Sequence, residues 1–163
     1  FPHNAFADTG GKPFAAAPQA ACNVPAALSF VGAHGGGLER CRVAHIGGYA
    51  VELGAGSRDV GIRGCELTDL GAGGVRLNGV DIHGPHALRS GEHEISDTRI
   101  CAAGRIFPSA VGVLLMHSYG NRIVHNQIFD LFYSGISCGW SWGYGEQVAR
   151  DNLIAYNHIH SLG

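Results

Sequence analysis

The sequence predicts an all-β chain wound as a right-handed parallel β-helix, a solenoid of about five rungs truncated at one or both ends. Three observations carry this prediction. One residue pattern recurs five times from Leu38 onward, apolar residues inside each copy alternate with period two, and 26 glycines among 163 residues suit tight turns rather than helix interiors.

Residues 1–27, containing PFAAAPQAAC, are rich in Ala, Pro and Gly without periodicity and read as an irregular lead-in or loop. From 28 to 163 the copies align. An apolar residue (Leu38, Ile62, Ile95, Ile123, Ile154) is followed three positions on by Cys41, Cys65, Thr98, Asn126 or Asn157. Two further on comes Val43, Leu67, Ile100, Ile128 or Ile159. A second apolar pair closes each of the first four copies: Val51 with Leu53, Val75 with Leu77, Val113 with Leu115, Ile136 with Cys138. Copies begin 24, 33, 28 and 31 residues apart, the excess over the shortest falling in insertions at 79–91, 105–109 and 140–149. No copy buries its apolar face alone, so the copies must stack. A sandwich or barrel of short strands is the competing architecture, but it does not explain why one residue type returns at one place in every copy. In a β-helix that return is a ladder at the ~4.8 Å strand spacing. Gly47, Gly71 and Gly104 are expected to take positive φ at the turns, and Cys41 and Cys65 to stack as free buried thiols.

Composition narrows the function. With net charge −2 the chain has no basic surplus for nucleic acid, and no apolar run approaches the ~20 residues of a membrane span. Its five cysteines lack CxxC or zinc-type spacing, and GxSxG, Walker, GxGxxG and HExxH motifs are missing from the sequence. Serine hydrolysis, phosphoryl transfer and dinucleotide chemistry therefore lack support.

The strongest chemical signal is one corner of the rungs. Two positions past the third apolar site stand His45, Asp69, Ala102, Asp130 and Ser161. Asp69 and Asp130 are two rungs apart, hence roughly 9–10 Å between Cα atoms, near the upper end of the carboxyl spacing of inverting glycosidases. They are the candidate acid and base, with His45 to tune them; the competing reading makes each aspartate a turn cap. Trp140, Trp142 and Tyr144, at alternate positions in a glycine-rich insertion, offer flat faces to sugar rings or merely cover the core. With His117, Tyr133 and Arg76 they complete the candidate substrate-binding set. Arg76 and Glu52 occupy equivalent outward positions on stacked strands and are expected to form an exposed ion pair. His125, His158 and His160 read as structural.

The stretches AHIGGYAVELGAGS (44–57), CELTDLGAGGVRL (65–77), RIFPSAVGVLLMHSYGNRIVHNQIFDLFYSGISCGWSWGYG (105–145) and NLIAYNHIHSLG (152–163) resemble bacterial β-helical proteins of polysaccharide breakdown, in particular glycoside hydrolase family 141. That resemblance covers about residues 26–163. It implies a secreted or periplasmic enzyme, a polysaccharide or oligosaccharide substrate, two-carboxylate hydrolysis of a glycosidic bond, and neither cofactor nor metal. It also implies a longer parent chain, with a further acidic segment beyond Gly163. Two alternatives stay open: a non-catalytic polysaccharide-binding or adhesion module, and a polysaccharide lyase, which would use calcium.

Overall fold

The computed structural model describes residues 17–163; the earlier part of the lead-in, residues 1–16, lies outside the described residues. Each rung contributes three short strands, and equivalent strands pair in parallel into three five-stranded sheets. The first sheet contains Ala26–Phe30, Tyr49–Leu53, Val75–Leu77, Val113–Leu115 and Ile136–Cys138. The second contains Gly37–Glu39, Gly61–Arg63, Glu94–Ser96, Arg122–Val124 and Leu153–Ala155. The third contains Arg42–Ile46, Glu66–Leu70, Arg99–Cys101, Gln127–Leu131 and His158–Leu162. A small extra pair joins Ser90–Gly91 to Ser118–Tyr119.

Register follows the repeat. Leu38, Ile62, Ile95, Ile123 and Ile154 align across the second sheet, and Val43, Leu67, Ile100, Ile128 and Ile159 across the third. Val51, Val75, Val113 and Ile136 align across the first. Their side chains fill one continuous core in which Ile62, Leu67, Ile95, Ile100, Ile123 and Ile128 are fully buried. Each such side chain contributes about 1.5–3 kcal/mol relative to exposure.

The corners are made by left-handed residues in three columns. One runs Gly35, Asp59, Glu92, Gly120, Asp151; a second Arg40, Gly64, Asp97, His125, Tyr156; a third His45, Asp69, Ala102, Asp130, Ser161, all with φ between 50° and 74°. Asp and His tolerate this conformation better than most residues with a Cβ, which explains part of their abundance here. The turn glycines therefore act differently from expectation. Gly104 has φ 75°, but Gly47 and Gly71 are absent from the positive-φ set, that conformation being taken two residues earlier by His45 and Asp69. Gly71 is required by close approach: a Cβ there would lie 2.3 Å from the Gly47 carbonyl oxygen of the preceding rung.

Behind two of the columns run inward polar ladders. The Thr98 N–H donates to Asn126 Oδ1 at 3.0 Å, and the Asn126 N–H and Nδ2 both donate to Asn157 Oδ1, at 3.0 and 2.9 Å. The parallel ladder runs from the Val60 N–H to His93 Nδ1, from the His93 N–H to Asn121 Oδ1, and from the Asn121 N–H to Asn152 Oδ1. At the corners, side chains thus satisfy backbone groups that no strand partner reaches. All five cysteines are free; Cys65 is buried, but Cys41, expected to be buried beside it, is exposed on the outermost rung of that ladder among the described residues.

A second apolar cluster lies outside the first sheet, where Ala20, Ala21 and Val24 of the lead-in pack on Tyr49, Phe107, Leu114 and Met116. Arg76 anchors this layer. Its guanidinium donates to the carbonyls of Cys22 and Val24 at 2.5 and 2.8 Å and pairs with Glu52 at 2.9 Å. The expected exposed ion pair is instead covered, the Arg76 side chain being only 7% exposed.

Candidate functional site

The third left-handed column sits where the third sheet turns into the first. Left-handed geometry turns each corner side chain outward while the next residue, such as Leu70 or Leu131, turns in to the core. His45 and Asp69 meet across one rung step, Nδ1 to Oδ2 at 2.5 Å, and both are largely exposed. Ala102 leaves a gap in the column at the next rung. Arg105, from the 105–109 insertion of that same rung, pairs with Asp130 and lays its guanidinium 5.2 Å from the ring centre of Phe132. His45, Asp69 and Arg105, with Gly47, Gly71 and Ile106, line a shallow cleft of about 290 Å³. The outcome is a row of polar groups: imidazole, carboxylate, guanidinium, carboxylate. Arg105 was not singled out from the sequence, because it stands in an insertion and has no equivalent in other rungs.

All the other candidates except Tyr133 lie elsewhere. Tyr133 shares the Asp130 turn and is exposed. The 79–91 and 140–149 insertions leave the opposite edge of the first sheet, towards the second. Trp140 packs against the outer apolar cluster, its ring centre 6.3 Å from that of Trp142, whereas Trp142 and Tyr144 project into solvent. His117 is partly buried at that edge, its carbonyl accepting the Gly79 N–H at 3.1 Å. Arg76 is enclosed beneath the lead-in. His125 stacks on Tyr156 and His160 on Phe129, each one rung apart at equivalent positions.

The buried Ser90–His93 pair resembles a nucleophile and its base, but its hydrogen bonds exclude that role. His93 Nδ1 accepts the Val60 N–H, so the imidazole proton is on Nε2 and points at Ser90 Oγ, 2.9 Å away. Burial pushes the His93 pKa down to about 4. The imidazole is a neutral rung of the polar ladder. Among the described residues no group of three or more His, Cys, Asp or Glu side chains converges as a metal site would require, and no helix is long and apolar enough to cross a membrane.

A parallel β-helix with an outward charged column at one corner is the class that this fold and site define. The sequence matches the family described as "Right handed beta helix region" over residues 27–163, and the chain belongs to that family. No curated protein matches it. A solved structure named "Glycoside hydrolase" is similar in fold, with TM-score 0.74 and 24% identity over 84% of this chain. The chain spans about a quarter of that protein, the matched part being 24% of its length.

Proposed function

We propose that this β-helix belongs to a secreted or periplasmic carbohydrate-active enzyme that hydrolyses a glycosidic bond at the His45–Asp69–Arg105–Asp130 corner. The observation that carries the reading is the pair of outward carboxylates two rungs apart, each with a different partner. In the mechanism, the proton held between His45 Nδ1 and Asp69 Oδ2 passes to the leaving glycosidic oxygen. Asp130, its charge balanced by Arg105, takes a proton from the water that attacks the anomeric carbon. The two-rung separation, near the upper end of the carboxyl spacing of inverting glycosidases, fits inversion at the anomeric carbon. The fold shared with a glycoside hydrolase supports the reaction class; membership of family 141 is part of the proposal.

The test is reducing-end release from a glycan panel by the full-length gene product. Asp69→Asn and Asp130→Asn should each lower release by about a hundredfold or more with circular dichroism unchanged. Undiminished release by Asp130→Asn would remove that residue from the mechanism. A second reading, a binding or adhesion module, draws on the exposure of Trp142 and Tyr144. It predicts no release from any glycan and loss of glycan binding in Trp142→Ala. A calcium-dependent lyase has less support, since among the described residues no carboxylate cluster accompanies the arginines.

A further inference from the structure

We propose that the edge between the first and second sheets, on the far side of the first sheet from the carboxylate corner, is a binding groove for an acidic glycan bearing carboxylate or sulfate groups. Immediately before the left-handed Gly35, Asp59, Glu92, Gly120 and Asp151 stands an outward column: His34, Arg58, Gly91, Tyr119, Arg150. Its members are in register, with bridges from His34 to Arg58 and from Arg58 to Gly91, pairing of Gly91 with Tyr119, and a bond from the Gly120 N–H to the Arg150 carbonyl. At the rung where Gly91 supplies no side chain, the 79–91 insertion folds in and adds His86 and Arg89. A Cβ at Gly91 would lie 2.8 Å from the Tyr119 ring, so the glycine gives that ring its place. Arg58, His86, Ala87, Arg89, Tyr119 and Arg150 line a cleft of about 300 Å³.

The arginines are held in place but not neutralised. Arg58 donates to the His86 carbonyl at 3.4 Å, Arg89 to the Ile82 carbonyl at 3.2 Å, and Arg150 lies 5.7 Å from the Tyr119 ring centre. The Nε atoms of Arg58 and Arg89 are buried without a hydrogen-bond partner. Among the described residues no carboxylate lies within ion-pair distance of Arg58 or Arg89, and Arg150 has only its exposed neighbour Asp151, at 3.4 Å. Asp59 faces a different cleft, which it lines with Glu39 and Arg63. Three guanidinium groups gathered on a chain of net charge −2 are arranged to receive an anion, which each fork can bind through two N–H groups. From Arg58 to Arg150 is three rung steps, roughly 14 Å at the strand spacing, a span that fits charges repeating along an extended polymer better than one small anion.

The inference rests on the proposed function only in taking that polymer to be a glycan. The test is affinity electrophoresis of the chain in gels containing polygalacturonate, dextran sulfate or neutral dextran. The chain should be retarded by a charged polymer and not by dextran, with polygalacturonate alone indicating uronates and dextran sulfate alone indicating sulfate esters. The Arg89→Gln/Arg150→Gln double variant should weaken that affinity about tenfold or more, whereas Arg122→Gln, outside the groove, should leave it intact. Absence of retardation in both charged gels, equal retardation in dextran, indifference to the double variant, or equal affinity for a single-stranded oligonucleotide would overturn the proposal. Asp130→Asn should bind as the wild type does, so loss of hydrolysis and loss of this groove are read separately.

Discussion

Replacing Asn126 with Ala removes the centre of the Thr98–Asn126–Asn157 polar ladder, and the structure sets the cost. The Thr98 N–H loses the Oδ1 it donates to, and the Ile95 carbonyl loses the Nδ2 that donates to it at 2.8 Å. Both bonds are buried, and Asn126 is 2% exposed. The Thr98 N–H is left unpaired at about 1–3 kcal/mol, and the Ile95 carbonyl, which stays in the sheet, loses one donor at about 0.5–1.5 kcal/mol, so the loss is roughly 1.5–4.5 kcal/mol. Asn157 makes the same kind of bonds, accepting from the Asn126 N–H and donating to the Ile123 carbonyl at 2.8 Å. It is only partly buried, so water replaces much of what its removal takes away. Urea unfolding of the two variants followed by circular dichroism should therefore show Asn126→Ala as the costlier by about 1 kcal/mol or more. Equal midpoints and slopes would refute the argument that burial of the orphaned backbone groups sets the cost of breaking a corner ladder.

His93 gives the fold a pH dependence of defined sign. Its folded pKa of about 4 lies below the ordinary 6.5, so between those values the unfolded chain binds a proton that the folded chain does not. Stability should rise with pH across that window and be lost below it, by about 3 kcal/mol in all. His93→Asn, which places at this rung the residue found at Asn121 and Asn152, should flatten the slope in pH-dependent thermal unfolding; a slope unchanged in the variant would assign it to other groups. Arg76→Met leaves the Glu52 carboxylate without its counter-charge and should cost about 3–5 kcal/mol, with faster protease cleavage within 17–25. Adding Glu52→Leu should recover most of that loss, and a double variant no more stable than the single one would contradict the ion-pair account.

The rungs were legible because their signal is local and repeated. Leu38, Ile62, Ile95, Ile123 and Ile154 return at the same place in each copy, and stacking turns that spacing directly into register. The corner column was legible for the same reason, since His45, Asp69 and Asp130 hold equivalent positions. The cause of its composition was not. Positive φ, carried at that corner by non-glycine residues, leaves no signature distinguishable from an ordinary turn, and the glycines nearby drew the expectation instead.

By itself the sequence determined the parallel β-helix, its strand register, the inward ladder that ends in Asn126 and Asn157 and the outward line of acidic corners, because each depends on a residue's place within one repeating unit; the His93–Asn121–Asn152 ladder emerged only in the structure. Only the tertiary structure decided what fills the places where the repeat fails: Arg105 beside the gap at Ala102, His86 and Arg89 beside Gly91, and the lead-in clamped over Arg76. These contacts join insertions to rungs across distances in sequence that follow no period, so their free energy comes from burial and charge pairing between segments that chain spacing does not relate.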